Sequence, residues 1–309
     1  MDYVKVKWIV EVLILFQLIP AILCWGDAGH FATCKIAETY ITEATANAVK
    51  ELLPVSANGE LAAVCSWPDL PAIRKGYSWS RELHFADTPD YKCTYDYRRD
   101  CRNAANLENR CVVAAIYNYT LQLESGYRHY GAEFKYNLTE ALMFLSHFVG
   151  DLHQVQLLHS LYISDFLGDL GGNRVMVHWF NETTNLHRVW DDAIIDTALE
   201  RYYGSNLTVM IEAITSNMTD DWLREINLSE ACHHSACPNQ YAAESVSYAC
   251  EYAYKNATNE TQLNDDYFHS RLPIVEKRLA QGGMRLATLL DQIFGAKLRM
   301  RKSYLPFKA

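Results

Sequence analysis

The chain has 309 residues, half of them hydrophobic, and 28 basic against 37 acidic side chains give it a formal charge of −9. That length can bury one large core, and with no linker-like or low-complexity stretch a single domain is expected. The acidic balance excludes a protein that grips nucleic acid through a broad basic surface, but not an enzyme whose bound metal ions, the largest local charges in such a pocket, meet the phosphates.

Residues 1–24 carry Lys5 and Lys7, then an apolar run from Trp8 to Cys24 broken only by Glu11 and Gln17. This is the order of a secretory signal peptide, with cleavage expected after Cys24. Ile22 stands where a small residue is preferred, so a membrane anchor is the competing reading. Cleavage leaves eight of the nine cysteines, an even set that suits an oxidising compartment. Spacing suggests local loops Cys101–Cys111 and Cys232–Cys237. Sequons at Asn118, Asn137, Asn181, Asn206, Asn217, Asn227, Asn256 and Asn259 point to an extracellular or vacuolar glycoprotein.

The mature chain would open Trp25-Gly26-Asp27-Ala28-Gly29-His30. A freed α-amino group titrates near about 7.7–8.0, low enough for a metal to displace its proton, so the backbone amine and carbonyl of Trp25 are candidate ligands beside His30. Phe31–Leu53 has apolar residues at helical spacing and is expected to be one helix, stopped by Pro54. Cys65-Ser66-Trp67-Pro68-Asp69 and Leu83-His84-Phe85-Ala86-Asp87 follow. Asp69 and His84 are further candidate ligands, although singly they read as an N-cap and a half-buried core histidine. Phe85 offers either core packing or a ring on which a nucleobase stacks.

Cys111–Ser125 is again helical in period. Ala141–His159 is expected to form the central helix, opened by Thr139 and Leu142 and breaking before His159. It sets His147 and Asp151 four residues apart, on one face. His187 and Asp191 repeat that spacing. One such pair is more often a hydrogen-bonded couple, but two on stiff backbone suit zinc, which binds His and carboxylate at about 2.0–2.2 Å. Between them, Gly171-Gly172-Asn173 reads as a tight turn and Val175–Phe180 alternates as a short strand. Glu260–Gly295 is expected to be the last long helix, with Ile274, Val275, Leu279, Leu286, Leu289, Leu290 and Ile293 inward. Residues 296–309 read as a basic, disordered tail.

Taken together, Trp25-Gly26 with His30, Ser66-Trp67-Pro68-Asp69, Leu83-His84-Phe85-Ala86-Asp87, His147-Phe148-Val149-Gly150-Asp151, Gly171-Gly172-Asn173 and Asn185-Leu186-His187 with Trp190-Asp191 resemble the secreted, zinc-dependent, single-strand-preferring nucleases of fungi and plants, and most of all the plant bifunctional nucleases. The likeness runs from Trp25 to about Gly295. It implies a mainly α, single-domain helical fold of the zinc nuclease and zinc phospholipase C type, with three zinc ions in a cleft. Asp69, His84, His147 and Asp151 would hold one zinc; His159, His187 and Asp191 a second; Trp25, His30 and a bridging Asp151 the third. Phe85 and Asp87 would form a base pocket with Asn173 among the substrate contacts, and Asp69 would orient the attacking water, which zinc acidifies towards pH 7. Disulfides Cys34–Cys65 and Cys93–Cys250 are implied beside the two local ones. The implied activity is hydrolysis of single-stranded DNA and RNA to 5′-phosphorylated products, with 3′-nucleotidase capacity, by a monomer without a stable protein partner and free of the membrane once the signal is removed.

Two departures from the pattern stand out. The family has Pro-Leu-His ending six residues after the aspartate, whereas here Leu152-His153-Gln154-Val155-Gln156-Leu157-Leu158-His159 delays the histidine by two and lacks the proline. A continuous helix would carry His159 roughly 12 Å along the axis from Asp151, too far for a compact cluster, and would turn His153 about 200° away from it. His159 therefore ligates only if the helix breaks. Ala72 occupies the place where family members often carry a basic residue, leaving Arg74 as the nearest cation. The competing functions are a zinc phospholipase C and a glycoprotein whose metal cluster is impaired by the altered Val155–Leu158 segment.

Overall fold

The computed structural model describes residues 25–89, 92–128, 136–155, 169–218, 222 and 236–303, the last eight of these by backbone alone. Helix α1 (Asp27–Tyr40) and α2 (Glu43–Leu52) replace the single helix expected over Phe31–Leu53. The chain breaks because Ile41 turns extended and the Thr42 hydroxyl accepts from Thr45 N, an N-cap that starts a new helix. A run of 3₁₀ turns carries Trp67–Asp69 into α3 (Pro71–Gly76), and a 3₁₀ helix, Ser78–Leu83, delivers His84. A single turn, α4 (Tyr97–Asp100), precedes α5 (Val112–Arg128).

The central helix, α6, spans Leu138–His153. Its cap is Asn137, whose side chain accepts from Glu140 N at 3.2 Å; Thr139 instead donates to Leu52 O at 2.6 Å, tying α6 to the end of α2. Every residue from Ala141 to His153 is buried, so the helix is wrapped by protein on all sides, as an apolar circumference demands. It ends earlier than expected, at His153, because Gln154 takes an extended conformation while its N–H still bonds Gly150 O and Asp151 O. His159 and the rest of the expected helix lie outside the described residues.

After the left-handed pair Gly171 and Gly172, β1 (Met176–Trp179) and β2 (Glu182–Asn185) form an antiparallel hairpin, with Val177 opposite Thr184. A short helical turn, α7 (Leu186–Arg188), widens into π geometry over Val189–Ala193 and continues as α8 (Ile194–Tyr202). Then come α9 (Leu207–Ser216) and α10 (Pro238–Tyr248). The expected helix from Glu260 instead opens with β3 (Thr261–Leu263), parallel to β1 and completing the order β2-β1-β3. Only then does α11 (Asp265–Ser303) begin. Its backbone stays helical to Ser303, where the sequence reading puts a disordered tail; Ala296, Lys297, Leu298, Arg299, Met300, Arg301 and Lys302 contain no glycine or proline to stop it. Residues 304–309 lie outside the described set.

Two apolar cores result. One joins α2, α5, α6 and the second half of α11; the other joins Trp25, the sheet, α8, α9 and the first half of α11. Helices α1 and α11 serve both, and they meet almost backbone to backbone. A Cβ on Gly283 would stand 2.5 Å from Ile36 Cγ2 and 2.9 Å from Thr33 O. Disulfides Cys34–Cys65, Cys93–Cys250 and Cys101–Cys111 are formed. Cys237 is also disulfide-bonded, its expected partner Cys232 lying outside the described residues. No helix among the described residues is long and apolar enough to cross a membrane.

Candidate metal centre

Helix spacing aims His147 and Asp151 the same way, His147 Nε2 lying 3.3 Å from Asp151 Oδ2. Around them gather groups from three distant segments. His84 Nδ1 reaches Asp151 Oδ2 at 3.0 Å and His147 Nε2 at 3.1 Å. Asp69 Oδ1 stands 3.5 Å from His147 and 3.6 Å from His84. His30 of α1 stacks flat on His147, ring centroids 3.9 Å apart, and sets Nε2 3.2 Å from Asp151 Oδ1. Two overlapping sets, His30/Asp69/His147 and His84/His147/Asp151, thus have donor atoms close enough to share an ion.

Several details fit a metal better than a self-contained polar cluster. His147 Nδ1 donates to Cys65 O at 2.8 Å, which fixes the tautomer and leaves Nε2 as a lone pair aimed into the cluster. Neither ring nitrogen of His30 has a hydrogen-bond partner among the described residues, nor does Asp151 Oδ1, although all three are buried. Buried polar atoms without partners are costly; a cation between His30 Nε2 and Asp151 Oδ1, 3.2 Å apart, would satisfy one ring nitrogen and the carboxylate oxygen together. The charges follow the same geometry. Burial alone would raise both carboxyls, yet His147, with His84 and His30, holds Asp69 and Asp151 well below the usual carboxylate range. Burial pushes His147 down, and Asp151 and Asp69 more than reverse it; His30 is left lowered by burial and by His147. Arg74 does reach the site, donating to Asp69 Oδ1 at 2.6 Å.

The second pair lies alongside. His187 Nε2 is 3.3 Å from Asp191 Oδ2, and His187 Nδ1 is held by Gly171 O at 2.7 Å, across the glycine turn. Gln154, fully buried, donates to Asp191 Oδ1 at 2.7 Å, leaving Oδ2 to face the histidine. Burial and the adjacent Asp192 raise the Asp191 carboxyl, and Asp69 and Asp151 are near enough to add to the effect. Trp25 is fully buried, and the residues leading into α1 are seated on this segment by Gly26 N donating to Asp191 O at 3.2 Å. A Cβ on Gly26 would stand 1.6 Å from Asp192 Oδ1, so a larger residue there would have to turn the Asp192 carboxylate aside. His159, the remaining expected partner of this pair, lies outside the described residues.

Phe85, half-buried, and Asp87, exposed, follow His84 directly. Although the Asp87 side chain reaches solvent, the protein crowded round it raises its carboxyl to about 6, with Asp169 and Asp100 adding to the shift. Asp169 accepts from Gly171 N at 3.0 Å, and Asn173 donates to Leu170 O at 2.9 Å. The Phe85–Asp87 segment and the glycine turn are thereby electrostatic neighbours. His153 is turned away: its Nδ1 donates to Val149 O at 2.7 Å, and Arg285 donates to its Nε2 at 2.9 Å.

Gln154 was not a sequence candidate. Its one visible signal is an amide side chain just beyond a ligand-bearing helix. The anchoring carbonyls of Cys65 and Gly171 carry no side-chain signal at all.

Compared with known proteins, residues 25–295 match the S1/P1 Nuclease family. The chain is 55% identical over 298 residues to Endonuclease 3 of Arabidopsis thaliana, covering 96% of this chain and 98% of that one. It is similarly 54% identical over 293 residues to Endonuclease 4 of the same plant, covering 94% and 96%. Nuclease S1 of Aspergillus oryzae is 31% identical over 284 residues, covering 87% and 91%.

Proposed function

Because the chain belongs to the S1/P1 nuclease family, and is accordingly a nuclease, we propose that it is a secreted, zinc-dependent endonuclease cutting single-stranded DNA and RNA to 5′-phosphorylated products, with 3′-nucleotidase capacity. The observation that carries the zinc reading is the buried meeting of His30, Asp69, His84, His147 and Asp151, with donor atoms of three histidines and two carboxylates facing one another. This donor set suits zinc, and His30 Nε2 and Asp151 Oδ1 are buried without a hydrogen-bond partner among the described residues. Asp69, His84, His147 and Asp151 would hold one ion, Trp25, His30 and Asp151 another, and His187 and Asp191, with His159, a third. When bound, zinc supplies a water acidified to near-neutral pKa and positive charge opposite the phosphate.

The remaining work falls to the chain itself. Asp69, at the edge of the cluster and steadied by Arg74, would accept a hydrogen bond from the attacking water and so orient it. Phe85 stacks the base, and Asp87 accepts from a base nitrogen. A base must leave its neighbours to be stacked there, which favours single strands. Cys65 O and Gly171 O hold the two imidazoles in register. Exposure of the sequon asparagines Asn118, Asn137, Asn181, Asn206, Asn217, Asn256 and Asn259 supports glycosylation; Asn227 lies outside the described residues.

The test is release of acid-soluble nucleotides from single-stranded DNA and RNA by the mature protein. Release abolished by chelator and restored by zinc, with three zincs per chain, is expected. No release from a zinc-replete preparation would overturn the activity, and two zincs or fewer would overturn the trinuclear centre.

A further inference from the structure

Between Asp69 and Glu82 the sequence places Arg74, Lys75 and Arg81 with no acidic residue, in a chain that is acidic as a whole. Arg74 is committed to Asp69. Lys75 and Arg81 are exposed and form no ion pair among the described residues, while Glu82 accepts from Asn103 at 3.0 Å. Within this basic stretch stands Trp79, 49% exposed. An indole that open is unusual, and its other surroundings are built: its ring lies 5.7 Å from Phe144 and 6.0 Å from Tyr77. Those two are themselves fixed. Tyr77 donates to Glu140 at 2.7 Å, and Phe144, one turn before His147 on α6, packs against Trp67 and stacks on Tyr119.

Resting on the nuclease reading, we infer that Trp79, flanked by Lys75 and Arg81, is a second base-stacking platform that receives a nucleotide of the single strand beyond the one held at Phe85. Three features favour this occupant. The cations match a phosphate backbone. The platform is continuous with the metal centre, since α3 supplies Arg74 to Asp69 and the 3₁₀ helix that begins at Ser78 ends at His84. The ring is also immobilised before substrate arrives, so stacking loses little side-chain freedom.

The experiment compares wild type, Trp79→Ala, Trp79→Leu and Trp79→Phe. Two readouts are used: affinity for a cleavage-resistant phosphorothioate oligothymidylate, and 3′-phosphate release from a 3′-mononucleotide, which is too short to reach Trp79. Leu retains apolar packing on Phe144 without a ring face. Loss of one base stack, about 1–3 kcal/mol, corresponds to roughly 5- to 150-fold weaker oligonucleotide binding in the Ala and Leu variants. The Phe variant should stay near wild type, mononucleotide turnover should be unchanged in all three, and Lys75→Ala/Arg81→Ala should flatten the salt dependence of oligonucleotide binding. Unchanged oligonucleotide affinity in the Leu variant overturns the platform, as does an equal loss of mononucleotide turnover. Wild type that binds the oligonucleotide through Trp79 yet cleaves no unmodified strand would overturn the nuclease reading and leave the platform standing.

Discussion

Gly150 shows how tightly the cluster is fitted around single atoms. It sits on α6 between His147 and Asp151, and a Cβ there would approach His30 Nδ1 to 2.9 Å. Alanine favours a helix over glycine by about 1 kcal/mol, so by propensity Gly150→Ala should stabilise the protein. The expected outcome is the opposite for function: His30 is pushed off its stack on His147, and nuclease activity falls while the melting temperature moves little. Full activity in the variant would show that His30 does not need its place. Gln154 makes the complementary case. Gln154→Leu keeps the volume but removes the donor to Asp191, and loss of a hydrogen bond that orients a metal ligand costs about 10–100-fold in affinity or activity. Zinc titration of wild type and variant measures it. At this scale the sequence was informative where spacing is local, as for His147 with Asp151. It was silent on the stacking of His30 against His147, because nothing in residues 30 and 147 taken alone says that α1 and α6 lie against each other.

The elements that hold α6 in place meet at its C-terminal end. Arg278 of α11, fully buried, donates to His153 O at 3.1 Å and to Glu244 Oε2 at 2.5 Å, while Arg285 donates to the same carboxylate at 2.6 Å. Burial works against the Glu244 charge, but the two guanidiniums outweigh it and hold the carboxyl well below its usual range. A depressed carboxyl contributes stability that is present above its ordinary pKa, near about 4.3, and is lost as pH falls towards the folded value. The difference in melting temperature between wild type and Glu244→Gln should therefore be widest near neutrality and shrink below about pH 4. A gap that widens on acidification contradicts this. Sequence periodicity located α5 and α6 because their apolar positions recur at the helical period. It overran the break at Ile41–Thr42 and missed β3, since both depend on a few residues: a threonine cap in one case, and in the other a parallel partner, β1, distant in sequence.

Across the whole molecule, Cys93–Cys250 closes a separation of 157 residues. Chain-entropy arguments assign a loop of that size about 5 kcal/mol, so Cys93→Ser/Cys250→Ser should lower denaturant stability by up to that amount, read by extrapolation to water with the slope fitted separately for each protein. The start of the described chain is equally committed. Trp25 is wholly buried, and in the proposed mature form, which starts there, one additional residue before it should abolish activity by turning that amine into an amide; equal turnover by the extended protein would refute a role for the amine. The overall helical class and the order of the motifs were legible in the sequence because each motif is short and contiguous. The joining of His30 and the His187–Asp191 pair to one region was implied only by the family resemblance and not by spacing, since it depends on how the two cores close around α1 and α11.

The close seat of Gly282 and Gly283 against Thr33, Ile36 and His153 also sets an order in time. A polypeptide made from its amino end displays His30, Asp69, His84, His147, Asp151, His187 and Asp191 well before the ribosome reaches α11. Until that last helix arrives, α1 lacks the face it packs against α11 and Arg278 cannot clamp the end of α6, so the candidate ligands are not yet held in their final places. A chain terminated before α11 is thus expected to lack a closed metal centre, and competence is conferred only when synthesis is nearly finished.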